Sequence, residues 1–142
     1  MIIPDVNLLL YAEITGYKDH PRAKAWWEQL LSGRDEVGLT MLSLFGFVRI
    51  GTNARLYKQA LSVEEALAFE EGWLARPNVR VLTPGPRHVE IAFGLLRAVG
   101  AAGNLTTDIQ LAAYAIENAA TLHSNDTDFA RIPGLSWKNP LN

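Results

Sequence analysis

Cysteine is absent from this 142-residue chain, which excludes disulfides and thiolate-bound metals and leaves oxygen or imidazole to hold any ion. No stretch approaches the ~20 apolar residues that a membrane span needs. The opening Met1-Ile-Ile-Pro-Asp-Val has no basic leader and is broken by Pro4 and Asp5, so it reads as a buried strand and not as a secretory signal. A reducing cytoplasm is the expected location, and no membrane partner is expected. Positive charge is scarce as well. Thirteen Lys and Arg against fifteen Asp and Glu give a net charge of −2, which argues against nucleic-acid binding by overall attraction. Any RNA contact requires a local basic patch and a divalent ion to offset repulsion. His20, His88 and His123 are scattered without the spacing of a histidine metal site and are read as ordinary structural residues, His123 as a core or sheet-face residue. Internal repeats, low-complexity tracts and linkers are missing too, so residues 1–142 are expected to form one domain.

What is present is 49% apolar residues, enough for a domain of this length to bury roughly 68–70% of its unfolded surface. Short β-rich runs alternate with helical patterns. Met1 to Asp5 reads as a strand, with Asn7 capping a helix from Leu8 to Ile14. Pro21 opens a second helix on the apolar positions Ala23, Trp26, Trp27, Leu30 and Leu31, ended by Gly33. Val37 to Leu42 reads as the next strand, and Ser43 as the cap of a helix carrying Phe45, Phe47, Val48 and Ile50 towards Thr52 and Asn53. Ser62-Val-Glu-Glu65 is a capping box for a helix to about Arg76, followed by the strand Val79 to Leu82. A helix to Val99 closes at Gly100, and Asn104 or Thr106 caps an alanine-rich one. Thr121 to Ser124 forms a further strand and Leu135 to Trp137 an edge strand. This alternation predicts an α/β fold with a parallel sheet.

Four acids then stand out. Asp5 follows a strand, Asp108 lies in a first helical turn, and Asp126 and Asp128 follow another strand in Ser124-Asn-Asp-Thr-Asp-Phe129. In an open parallel sheet such positions gather outside the carboxyl ends of the strands. Each acid has an ordinary explanation when taken singly. Asp108 favours a helix N-terminus, and Asp126 and Asp128 suit an Asx turn. Their common rim favours a shared pocket. Two carboxylates ~5 Å apart repel by about 3 kcal/mol at an effective dielectric near 20, so a cluster persists through raised pKa values or a bound cation. Hard oxygen ligands favour Mg²⁺, with Mn²⁺ as substitute, and such an ion suits phosphodiester hydrolysis.

The segments Met1-Ile-Ile-Pro-Asp-Val-Asn-Leu-Leu-Leu-Tyr-Ala12, Thr107-Asp-Ile-Gln-Leu-Ala-Ala113 and Ala120-Thr-Leu-His-Ser-Asn-Asp-Thr-Asp-Phe129 closely resemble the three signature segments of PIN-domain proteins. Chain size and the closing Phe129-Ala-Arg-Ile-Pro-Gly-Leu135 resemble VapC-type toxins of toxin–antitoxin pairs. The resemblance covers nearly the whole chain. It implies a PIN-like three-layer α/β/α fold with about four to five parallel strands. It further implies a Mg²⁺-dependent endoribonuclease acting on structured RNA such as tRNA or rRNA, restrained by a VapB-type antitoxin and forming a homodimer. By position, Asp5, Asp108 and Asp126 match the metal ligands, and Asp128 an acid that supports them. Asn7 matches a polar residue near the first ligand, and Ser124 a hydroxyl that bonds a carboxylate or water. One departure is Gly46, in Ser43-Leu-Phe-Gly-Phe-Val-Arg49, where many members carry a glutamate ligand. That loss opens an alternative: a weakened or inactive PIN module working through RNA or partner binding. A DNA nuclease of flap-endonuclease type would need an arch and further acids for which the chain has no room.

Arg49 and Arg55 are the expected RNA contacts, because their helix begins near the expected site. Adjacent Trp26 and Trp27 cannot both face inward from one helix. One of them, with Trp73 as a second candidate, is expected at a partner interface.

Overall fold

The computed structural model describes residues 1–142. Five short strands form one parallel sheet: β1 (Ile2–Pro4), β2 (Val37–Leu39), β3 (Val79–Val81), β4 (Thr121–His123) and β5 (Trp137–Lys138). Their spatial order is β3-β2-β1-β4-β5. Six helices complete the fold: α1 (Val6–Glu13), α2 (His20–Leu31), α3 (Met41–Gly51), α4 (Val63–Leu74), α5 (His88–Val99) and α6 (Leu105–Glu117). A 3₁₀ turn covers Thr127–Arg131.

Two apolar clusters make this a three-layer α/β/α fold. On one face Leu8, Leu9, Trp27, Phe47 and Trp73 bring α1 to α4 against Val37 and Leu39. On the other, Leu95 of α5 and Ile109 and Ala113 of α6 meet Ile3, Leu122 and Phe129. β1 and its successors β2 and β3 lie to one side, whereas β4 and β5 lie to the other. The chain therefore reverses its direction of winding between β1 and β4, and ligands of open α/β sheets bind outside the strand ends at such a point.

Caps decide what the ends of β1 and β2 display. The cap of α1 is Asp5, not Asn7, which lies inside the helix; the Asp5 carboxylate accepts the Val6 N–H at 2.7 Å. Asp5 holds this role because its own N–H donates to the His123 carbonyl of β4 at 2.9 Å, ending the helix there. For α3 the cap is Thr40, whose hydroxyl accepts the Ser43 N–H at 3.1 Å, so Ser43 is already helical. The capping box of Ser62 and Glu65 is complete, and Gly100 takes the left-handed conformation at φ 70° that favours glycine. Asn104 precedes α6 without a side-chain cap bond. β5 sits slightly later than expected, and Trp137 fixes it by donating its indole N–H to the Ser124 carbonyl at 3.0 Å.

Candidate metal centre

Asp5 leaves the end of β1, 8% exposed, with both carboxylate oxygens engaged. One accepts the Val6 N–H, and the other accepts the Ser124 hydroxyl at 2.8 Å. The same Ser124 oxygen accepts the Asp126 N–H at 3.0 Å, so a wholly buried hydroxyl joins the ends of β1 and β4. Asp126 in turn accepts the Asp128 N–H at 2.9 Å and caps the 3₁₀ turn. Both carboxylates are thereby aimed from a rigid frame.

Asp108 approaches from the first turn of α6. Burial, followed by the charges of Asp5, Asp126 and Asp128, pushes its carboxyl up to about 6. Burial also raises Asp5, against the lowering effect of its hydrogen bonds to Ser124 and Val6, with Asp126 adding a smaller upward push. Four aspartates from three separate stretches of the chain thus share one electrostatic field. The protein supplies them no counter-ion. Its four ion pairs join Arg22 to Asp19, Lys24 to Glu28, Arg80 to Glu36 and Arg87 to Glu90.

No three acidic or imidazole side chains converge as a ready-made metal cage. Among ions that take oxygen ligands, Mg²⁺ is the one that keeps several of its waters when bound. Asn125, between Ser124 and Asp126, leaves one buried amide atom without a protein partner, while the other meets the Tyr11 hydroxyl at 3.4 Å. Donor type and uncompensated charge fit a hydrated divalent ion.

Asn7 is half-buried in the first turn of α1, near the acids but not as a cap. Gly46 of α3 faces the start of α1: a Cβ there would lie 3.3 Å from Val6 Cγ2. Position 46 is therefore beside the residue that follows Asp5, and its acid is missing. Arg49 and Arg55 are carried by the later part of α3 and the segment after it. Ser43 donates to the Pro4 carbonyl at 3.2 Å, while Gly51 lies against Leu10 and Ile14, so α3 runs beside α1 away from the acids. Arg49 occupies its last turn, and Arg55 lies beyond it.

Trp27 is fully buried with its ring edge-on to that of Trp73, and Trp73 is itself core, which removes it as an interface candidate. Trp26 points elsewhere. Its indole N–H donates to His123 Nδ1 at 3.1 Å, and burial, then the nearby Lys138, pushes that imidazole down to about 4. Asn125, Thr40 and this indole–imidazole pair escaped sequence reasoning. Only Thr40, immediately before a helical run, carried a local signal.

An α/β fold with paired carboxylates at its switch point defines a class of acid-centred domains. Residues 2–135 match the PIN domain, and the chain belongs to that family. It is 55% identical over 141 residues to Ribonuclease VapC33 of Mycobacterium tuberculosis, covering 99% of each chain. It is 39% identical over 140 residues to Ribonuclease VapC37 of the same organism, covering 99% of this chain and 97% of the relative. Among solved structures, VapBC2 from Rickettsia felis bound to a promoter DNA fragment matches with TM-score 0.70 at 22% identity, over 98% of both chains. VapC20 of Mycobacterium tuberculosis, described as a sarcin-ricin loop cleaving toxin, matches with TM-score 0.69 at 20% identity, over 92% of this chain and 93% of that one.

Proposed function

We propose that this chain is a divalent-metal-dependent endoribonuclease and the toxin of a VapBC-type pair, hydrolysing phosphodiester bonds in structured RNA such as tRNA or rRNA. The observation that carries the reading is the buried Ser124 hydroxyl that ties Asp5 to Asp126 at the switch point, with Asp108 near enough to feel both charges and no basic side chain paired with any of them. Family membership and the names of the full-length relatives support it.

Asp5, Asp108 and Asp126 would hold Mg²⁺ or Mn²⁺, with Asp128 adding negative charge beside them. The ion would lower the pKa of water and stabilise charge developing on phosphate. The protein's part is orientation. Ser124 keeps Asp5 and Asp126 in register, and Asp108 completes the acidic rim from the first turn of α6. Phe129, 1% exposed, anchors the turn that carries Asp126 and Asp128.

A VapB-type antitoxin is the proposed partner, in keeping with the VapBC complexes among the structural relatives. A cleft of about 830 Å³ beside the end of α1, lined by Glu13, Tyr17, Leu56, Tyr57, Leu61 and Phe69, offers an antitoxin segment an apolar wall with an acid in it. A basic antitoxin side chain reaching the aspartates would replace the charge compensation of the metal. A homodimer and a cytoplasmic location complete the proposal. No helix is long and apolar enough to cross a membrane.

The absent acid at Gly46 favours one competing reading, a PIN module that binds RNA or a partner without cutting. Purified protein incubated with total tRNA and rRNA, with and without Mg²⁺, separates the two. Discrete cleavage that needs Mg²⁺ and vanishes in Asp5→Ala supports the nuclease. Intact RNA at every metal concentration, with binding retained, supports the module.

A further inference from the structure

We infer that Trp137 is a positioning residue for the aspartate cluster: its indole N–H fixes the Ser124 carbonyl, and through Ser124 it sets how Asp5 and Asp126 face one another. This rests on the metal-dependent ribonuclease reading above.

Ser124 follows the last residue of β4, is wholly buried, and has every polar atom held. Its N–H donates to the Lys138 carbonyl at 3.1 Å. Its hydroxyl donates to Asp5 at 2.8 Å and accepts the Asp126 N–H at 3.0 Å. Its carbonyl accepts the Trp137 indole N–H at 3.0 Å. The two hydroxyl bonds link the acids, and the other two tie that link to β5. The Ser124 carbonyl belongs to the peptide plane that leads through Asn125 to Asp126, so fixing its direction fixes where the chain carries Asp126 relative to the hydroxyl.

A side chain holds this carbonyl because the backbone of β5 cannot. Along the ladder between β4 and β5, the Leu122 N–H donates to the Ser136 carbonyl at 2.9 Å and the Ser124 N–H to the Lys138 carbonyl. Continued in the same parallel pattern, the Ser124 carbonyl would take the N–H of residue 140. Residue 140 is proline and has none. Trp137 is well anchored for the substitute bond. It pairs with Leu122 across the ladder, and its ring packs on the apolar cluster that contains Phe129, in the turn carrying Asp126 and Asp128. Without the indole N–H, a buried carbonyl beside the acids is left unpaired, and turning it towards another donor turns the chain that leads to Asp126.

The test is calorimetric Mn²⁺ titration of the full chain without RNA, arranged as a double-mutant cycle. Trp137→Phe keeps a ring on β5 and removes the donor; it should weaken Mn²⁺ binding roughly three- to tenfold, the worth of one hydrogen bond. Ser124→Ala should weaken binding too. In the Ser124→Ala background Trp137→Phe should add little, because the hydroxyl that it aims is gone. Trp73→Phe, a core change on the other face of the sheet, should lower the melting temperature and leave Mn²⁺ affinity unchanged. In RNA cleavage, Trp137→Phe should lower kcat with KM nearly kept. Parental Mn²⁺ affinity in a folded Trp137→Phe overturns the positioning role. So does a loss that adds in full to that of Ser124→Ala, which would make Trp137 an anchor of β5 alone. Should Trp137→Phe fail to fold, nuclear magnetic resonance of the unsubstituted chain decides: saturating Mg²⁺ should shift the Trp137 indole N–H signal and not that of Trp73, and an unmoved Trp137 signal overturns the role. A parent that binds Mn²⁺ without cutting RNA removes the ribonuclease reading and leaves Trp137 its place at the metal site. A parent that binds no metal removes both.

Discussion

At the scale of single residues, the contact between Ser124 and Asp5 is the hinge of the site, because its hydrogen bond opposes the upward push of burial on that carboxyl. Asp108 lacks such help and rises to about 6. A divalent ion competes with the proton for that carboxylate, so metal binding weakens as pH falls through 6 and levels off above it. Calorimetric Mn²⁺ titrations between pH 5 and 8 should show affinity dropping by up to roughly tenfold per pH unit below 6. The Asp108→Asn variant should bind more weakly with a flatter profile; a profile unchanged by the substitution removes Asp108 from the ligand set. Gly46 supplies a second test at this scale. Replacing a helical glycine gains about 1 kcal/mol of propensity, set against the 3.3 Å approach of the new Cβ to Val6. Gly46→Glu should therefore fold with a nearly unchanged melting temperature, bind Mn²⁺ several-fold more tightly and cut RNA faster. Unchanged metal affinity in a folded variant would show that this helix face does not reach the ion.

At the scale of elements, α4 carries an internal cost. Glu70 is 7% exposed, one of its oxygens has no partner, and burial pushes its carboxyl up to about 7. A raised carboxyl pKa means that the folded state binds more protons than the unfolded one between pH 4.5 and 7. Stability then falls as pH rises through that window. Glu70→Gln should raise the melting temperature at pH 8, by several degrees if roughly 1 to 2 kcal/mol is recovered, and change little at pH 4.5. A lower melting temperature at pH 8 would mean that the ionised carboxylate is satisfied, through water for example. How well elements could be read divides by whether their determinants are local. The capping box at Ser62 and the left-handed Gly100 depend on neighbours in sequence and appear as expected. Asp5 and Asn7 are both good caps, two residues apart. What selects Asp5 is a hydrogen bond from its N–H to β4, a strand more than a hundred residues away. Trp73 was unreadable for the same reason, since its burial comes from Trp27 and Phe47 on other helices.

At the scale of the molecule, the sheet order explains why the acids were legible before the fold was. Strand ends are the positions that a parallel sheet collects, so an aspartate after each of two apolar runs already implied proximity. How close any basic residue comes to that rim depends on where β5 docks and on the direction of α3, and neither is written in local pattern. The unsatisfied apolar surface is likewise a global property. Met41 and Phe45 project from α3 with 44% and 68% exposure, and Val89 and Phe93 from α5 with 59% and 54%. Each pair is spaced i, i+4, so each helix presents an apolar stripe. A stable dimer buries roughly 800 Å² per partner around such a centre, and a charge placed there leaves a desolvated ion in the interface. Phe45→Lys combined with Phe93→Lys should therefore convert a dimer to a monomer in light scattering across micromolar concentrations, with an unchanged circular dichroism spectrum. Mn²⁺ affinity should persist in that monomer, because all four aspartates come from one chain. A double variant that stays dimeric would assign the contact to another face, and a wild-type chain that is monomeric throughout the range would reject the homodimer itself.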